Sequence, residues 1–352
     1  MNTFSKWSML SKMAFEYHPK KNSLPSTNRP RMFAVLALTA ASLLLAACES
    51  PGKKETLTPQ EAALAHPGPV RGQFAAVDAA QIFYLDTRPD ALVAQSPPGA
   101  ETQAGSPVIL IHGLGASTFS FRRNLVELSK HTRVIALDLK GFGLSKEYTD
   151  KDLSFKAESA IVVAFMDRLK IPRATLVGHS LGGTIAARVA ALHPDRVDRL
   201  VLIDSATLYI TRPFATRLLR GRMLTGLAYQ LAGPDRQRVR TLLLKSYADK
   251  SRVSDADVEG YYFPFTIKNS AESLKRFLTT TNPNENALFE RIQAPTLILW
   301  GAEDSFIDPS VRDFLHRQIK NSTVKVIEGA GHALMEEKPE AVNREIIQFI
   351  EK

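Results

Sequence analysis

Thr175-Leu176-Val177-Gly178-His179-Ser180-Leu181-Gly182-Gly183 is the stretch on which the fold turns. The strand Thr175-Leu176-Val177 runs into a turn, and Thr184 to Leu192 continues as a helix. The turn has the form G-x-S-x-G. A serine lifted onto so sharp a corner needs a strained backbone, and side chains two positions before and after it would collide. Gly178 and Gly182 remove those collisions. A helix that begins at Ser180 also turns its free N–H groups and positive dipole end toward that hydroxyl. A bare five-residue match arises by chance; the strand before and the helix after give this one its weight.

Outward from the turn, short apolar runs alternate with helix-length segments. The runs are Val108-Ile111, Arg133-Leu137, Ala174-Val177, Arg199-Ile203, Thr296-Leu299 and Thr323-Ile327. Helices are expected near Phe119-Ser129, Phe155-Leu169, Leu181-Leu192, Pro309-Ile319 and Pro339-Ile350. Gln73 to Asp78 and Gln81 to Thr87 read as a leading hairpin. Uninterrupted apolar strands separated by helices predict an α/β fold with a mostly parallel sheet covered on both faces. The alternation lapses between Ala206 and Asn286, which reads as a helical cap inserted over the sheet. The Pro- and Ala-rich loop from Arg88 to Ser106 has no assigned role.

A serine hydroxyl is a weak nucleophile at neutral pH and needs a base. His332, in Glu328-Gly329-Ala330-Gly331-His332 just past the last apolar run, suits that role. His193 precedes Pro194, His316 lies within a helix and His131 sits in a polar loop; each reads as a surface or capping residue. His179, next to the serine, is a candidate substrate contact. The acid that orients the base belongs at another strand end, between serine and histidine in sequence. Asp304 in Trp300-Gly301-Ala302-Glu303-Asp304 is chosen over Glu303 and Asp308, with Asp204 after Leu200-Ile203 as its rival.

An oxyanion needs two N–H donors. Leu181 follows the nucleophile, and Leu114 in His112-Gly113-Leu114-Gly115 follows the first apolar run. Gly113-x-Gly115 with Asp138 further on imitates a dinucleotide fingerprint, but Thr118 stands where the third glycine belongs. Asp138 to Ser145 reads instead as a tight structural turn, with Phe142 a candidate lining of the substrate pocket.

Taken together, His112-Gly113, Asp138 to Ser145, Gly178 to Gly183, Trp300 to Asp304 and Gly331-His332 resemble the α/β-hydrolase superfamily, in its esterase and lipase-like branch, from about Arg71 to Lys352. The resemblance implies an eight-stranded, mostly parallel sheet, a cap after the sixth strand and no cofactor; no metal site is expected either. Serine at the nucleophile position, where epoxide and haloalkane hydrolases of the family carry aspartate, argues against those reactions.

The chain carries +9 overall, but its first 47 residues hold six Lys or Arg against one Glu, leaving about +4 for the rest. That excess is too small to point to nucleic acid. Phe33 to Ala47 is an apolar stretch, too short to span a bilayer comfortably, preceded by Arg29 and Arg31. Its end, Leu45-Ala46-Ala47-Cys48, resembles the lipobox of bacterial lipoproteins, and Cys48 is the single cysteine. The expectation is a signal peptide over 1–47, lipidation at Cys48, a tether over 48–70 and an exported, membrane-anchored enzyme domain over 71–352, on the periplasmic or cell-surface side. The basic flank lies far from Met1, which makes Met13 and Met32 alternative starts. The leading function is hydrolysis of a small acyl substrate, a carboxylic ester, through an acyl-enzyme. The alternatives are cleavage of a C–C or amide bond or acyl transfer with the same residues, and a tethered binding protein without catalysis.

Overall fold

Val108, Ile109, Leu110 and Ile111 are all fully buried, and their side chains go to two different layers. Ile109 and Ile111 join one hydrophobic cluster, Val108 and Leu110 the other. The period of two along a strand, with apolar residues at every position, requires a sheet covered on both faces. The computed structural model, which describes residues 58–64, 70–87, 105–206, 235–280 and 288–352, has that sheet. Its strands are β1 (Gly72–Val77), β2 (Ala80–Asp86), β3 (Val108–Ile111), β4 (Val134–Leu137), β5 (Ala174–His179), β6 (Val197–Ile203), β7 (Thr296–Gly301) and β8 (Ser322–Ile327). They are arranged in the order β1-β2-β4-β3-β5-β6-β7-β8. The β1–β2 and β2–β4 pairs are antiparallel, and every pair from β4 to β8 is parallel.

Among the described residues ten α-helices accompany the sheet. On one face lie α3 (Phe155–Arg168), α4 (Leu181–Leu192) and α8 (Pro309–Gln318), packed through residues such as Phe165, Ile185 and Leu315. On the other lie α2 (Leu125–Leu128), α9 (Leu334–Glu337) and α10 (Pro339–Ile350), packed through Leu128, Leu334, Val342 and Ile346. Between β6 and β7 come α5 (Arg236–Ser246), α6 (Asp255–Tyr262) and α7 (Ser270–Thr280). The first two share a small core of Val239, Leu243, Tyr247, Val258 and Tyr262 that also takes in Ala333, the residue after His332. The helical insertion expected after the sixth strand is therefore present in its described part, and its own core closes on the loop that carries the candidate base.

Two expectations are revised. The helix expected over Phe119-Ser129 is split into a 3₁₀ turn, Thr118–Phe121, and the four-residue α2. Asn124, at the break, donates to the Met335 carbonyl at 3.1 Å and to Asn343 Oδ1 at 2.8 Å. Those long-range bonds outweigh the weak local preference for one continuous helix. The second revision concerns the segment read as a tether. Pro59–Leu64 forms α1, whose Ala62 is fully buried in the core. The expected signal peptide, Cys48, most of the 88–106 loop and residues 207–234 and 281–286 of the cap lie outside the described residues. No helix among the described residues is long and apolar enough to cross a membrane.

Candidate active site

The parallel register brings Ile111 beside both Leu137 and Gly178, and Ile203 beside both His179 and Leu299. The strands therefore end at a common rim, and the loops leaving them converge there. Ser180 sits at the rim between β5 and α4 with φ 51° and ψ −115°. Such a backbone costs a non-glycine residue on the order of 1–3 kcal/mol. Three hydrogen bonds hold it: Ser180 N–H to the Ile203 carbonyl (2.9 Å), and Ala206 N–H and Gly183 N–H to the Ser180 carbonyl (each 3.1 Å). The flanking glycines are required by close approach. A Cβ at Gly178 would lie 2.4 Å from the Gly182 carbonyl oxygen, and one at Gly182 would lie 2.2 Å from that of Ile111.

His332 Nδ1 lies 2.8 Å from Asp304 Oδ2, with the Asp304 side chain fully buried and that of His332 11% exposed. The Asp304 carboxylate also accepts from Phe306 N–H (2.7 Å) and Ile307 N–H (3.1 Å) through Oδ1. A carboxylate so held fixes the imidazole with its proton on Nδ1, leaving the Nε2 lone pair free to take a proton. The competing acids have other occupations. Glu303 accepts from Gly329 N–H and Ala330 N–H, bracing the histidine loop. Asp308 caps α8 through Ser310 N–H.

Asp204 is more intimate with the site. Its Oδ1 accepts from Gly301 N–H at 2.9 Å, and its buried Oδ2 has no hydrogen-bond partner. Ligand-type atoms of Asp204, Asp304 and His332 all lie within 4.8 Å of one another. Burial, and then the charge of Asp304, push the Asp204 carboxyl well above the usual carboxylate range. A shared metal is a poor fit to this trio, because the 2.8 Å contact already joins His332 Nδ1 to the nearest Asp304 oxygen.

The serine and histidine loops meet through His179. Its Nε2 lies 2.9 Å from the His332 carbonyl oxygen, and the two rings are 4.9 Å apart. Burial, and then the neighbouring His332, lower its pKa to about 3, so the ring is neutral and Nε2–H donates to that carbonyl. His179, read from sequence as a substrate contact, therefore props the loop of His332. The Ser180 hydroxyl makes no direct hydrogen bond to the His332 ring; in unliganded enzymes such bonds are often long and tighten when substrate binds.

Leu181 is the first residue of α4, where a backbone N–H has no partner within the helix. Leu114 stands 44% exposed on the loop after β3. That loop abuts the Ser180 turn, since a Cβ at Gly113 would lie 3.2 Å from Ser180 Cβ. His112 is fully buried and fixes the loop, with Nδ1 2.7 Å from the Gly113 carbonyl oxygen and Nε2 accepting from Leu139 N–H at 3.0 Å. Asp138 ties the following turn by accepting from Thr118 N–H and Leu144 N–H, the structural role expected of it. Phe142, expected to line the pocket, is 4% exposed and packs edge-on against Phe277 of α7 and His112. Its ring belongs to the packing between cap and sheet.

Sequence reasoning missed the braces behind the histidine. Glu337 accepts from Gly331 N–H (2.8 Å), Ala248 N–H (3.1 Å) and Asp249 N–H (2.6 Å). Glu336 is fully buried and pairs with Arg122, which also pairs with Asp257 of α6. A Glu-Glu pair on a short helix reads as a solvated face, and nothing local marks these two as buried.

Residues 106–339 match the family model described as the alpha/beta hydrolase fold. The chain belongs to the α/β-hydrolase family. It is 28% identical over 254 residues to the hydrolase YugF of Bacillus subtilis, covering 72% of this chain and 91% of that one. It is also 28% identical over 258 residues to the esterase YbfF of Escherichia coli, covering 70% and 93%. Among solved structures, a meta-cleavage product hydrolase from Pseudomonas fluorescens matches with a TM-score of 0.64 and 26% identity over 80% of this chain and 97% of that one. This α/β-hydrolase is an enzyme, as these relatives are.

Proposed function

We propose that this α/β-hydrolase cleaves a carboxylic ester through an acyl-enzyme on Ser180. The observation that carries the reading is the His332–Asp304 contact at 2.8 Å on a loop tied to the strained Ser180 turn. In the first half-reaction His332 Nε2 takes the Ser180 proton as Oγ bonds to the carbonyl carbon. The carbonyl π electrons move onto oxygen, which accepts from the N–H groups of Leu181 and Leu114. Collapse re-forms the carbonyl and expels the alkoxide, which leaves with the proton from His332. Water, activated by the same imidazole, then releases the acid and regenerates Ser180. Asp304 holds the tautomer and stabilises the imidazolium without accepting its proton.

The esterase relative supports ester substrates. Likeness to a meta-cleavage product hydrolase supports a second reading, C–C bond hydrolysis with the same residues. A screen of p-nitrophenyl esters against vinylogous 1,5-diketones separates the two. Labelling by a fluorophosphonate probe is expected in the wild type and lost in Ser180→Ala; ester turnover undiminished in Ser180→Ala overturns the mechanism. We further propose that the chain is exported and anchored through lipid on Cys48, supported by the apolar 33–47 stretch ending at that residue. Cys48→Ser should then move the protein from membrane to soluble fraction; an unaltered partition argues against the anchor.

A further inference from the structure

We infer that Asp204 is a second orienting acid for His332, held in reserve beside Asp304 and able to take over its role when the Asp304 carboxylate is removed. The inference rests on the Ser180–His332 mechanism above.

Asp204 follows directly on β6, and its backbone is as unusual as that of Ser180, with φ 40°. Its own N–H donates to the Leu299 carbonyl at 3.0 Å, and its Oδ1 accepts from Gly301 N–H. Those two bonds fix the side chain at the base of the loop that carries Asp304. They leave Oδ2 buried and without a partner, and Asp204 offers an oxygen to the cluster whose other members are Asp304 and His332. A purely structural acceptor for Gly301 N–H needs only one oxygen, and an orphaned buried second oxygen carries a desolvation cost. That cost is smallest when the carboxyl is protonated, which the raised pKa of Asp204 supports.

Two carboxylates so close cannot both ionise cheaply. Asp304, with two N–H donors and the imidazole around it, holds the negative charge, and Asp204 holds the proton. The other titratable group on the adjoining strand, His179, is neutral and engaged with the His332 carbonyl. Deleting the Asp304 carboxylate removes the repulsion. Asp204 then releases its proton to solvent, and its Oδ2 accepts from His332 Nδ1–H, restoring one negative charge behind the imidazole.

The test is a double-mutant cycle of Asp304→Ala and Asp204→Asn, the latter keeping an oxygen for Gly301 N–H. It is read by ester turnover and fluorophosphonate labelling rate, with thermal unfolding as a check on folding. Loss of the only orienting acid in such a site costs up to about 10,000-fold. Asp304→Ala is expected to keep at least about 100-fold more turnover than the double variant. Asp204→Asn is expected to cost at least about tenfold more in the Asp304→Ala background than in the wild type. Equal costs in the two backgrounds overturn the inference and leave Asp204 a structural acceptor.

Asp304→Ala alone gives a second reading should the double variant not fold: turnover within about 100-fold of wild type supports the reserve acid, and a loss of the full ~10,000-fold overturns the inference. Ser180→Ala serves as the control on the mechanism beneath it. Turnover surviving there overturns that mechanism and this inference together, whereas an additive cycle with inactive Ser180→Ala overturns this inference alone.

Discussion

At Ser180 the demands of chemistry and of stability oppose one another. The backbone angles that lift the hydroxyl to the rim are ones that only glycine adopts without strain. Ser180→Ala removes the proposed nucleophile and keeps the strain, while Ser180→Gly removes both. After allowance for the greater unfolded-state freedom of glycine, Ser180→Gly should be more stable than Ser180→Ala by about 1 kcal/mol, with both inactive. Urea denaturation of the two proteins checks this, and equal midpoints would show that the turn carries no such strain. The need for glycine at 178 was legible in the sequence because its clash, with Gly182 and Gly183, is local, whereas the Ile111 carbonyl that excludes a side chain at 182 comes from another strand. His332 and Asp304 were legible from position, each just past an apolar strand. The predicament of Asp204 was not, since it arises only when β6, β7 and the loop after β8 meet.

At the scale of an element, α3 carries an unusual burden in its first turn. Glu158 is fully buried, accepts Lys140 N–H through Oε2 at 3.1 Å and leaves Oε1 without a partner. Burial, opposed by the charge of Lys140, pushes its pKa up to about 8 from 4.5. The folded state thus holds a proton that the unfolded chain has already released. Stability from this group is full below the unfolded value, falls as pH rises toward about 8 and is lost above it. Glu158→Gln keeps the acceptor for Lys140 and never ionises. Its stability relative to wild type should improve from about pH 5 to about pH 8 and then level off, by a few kcal/mol at most. Urea denaturation across that range decides it; a constant offset would show that Glu158 does not titrate there. That α3 is a helix near Phe155-Leu169 was legible in the sequence, and Ser154 starts it by accepting from Ala157 N–H. The break before α2 was not, because Asn124 obeys partners more than 200 positions away.

Across the whole molecule, the cap and the histidine loop are joined by charge as well as by apolar packing. Arg122 lies between Asp257 of the cap and Glu336, four residues after His332. Tyr247 and Tyr261, also from the cap, donate their hydroxyls to the same Glu336 carboxylate. Truncating this cation leaves the buried Glu336 carboxylate without its counter-charge, at a cost of about 3–5 kcal/mol, while Asp257 keeps Arg123 and Ser254 as partners. Arg122→Met keeps most of the side-chain volume, so its loss should come from charge and not from a cavity. Adding Glu336→Gln removes that stranded charge, keeps an acceptor for the tyrosines and should recover part of the loss. The cap also bears on the site, since Ala333 N–H donates to the Ser246 carbonyl at 3.1 Å. Arg122→Met should therefore lower turnover further than its folded fraction alone explains, with the shortfall narrowing in the double variant. Chemical denaturation together with turnover per folded molecule measures both effects. Stability and turnover that do not change in Arg122→Met would mean that apolar packing alone seats the cap.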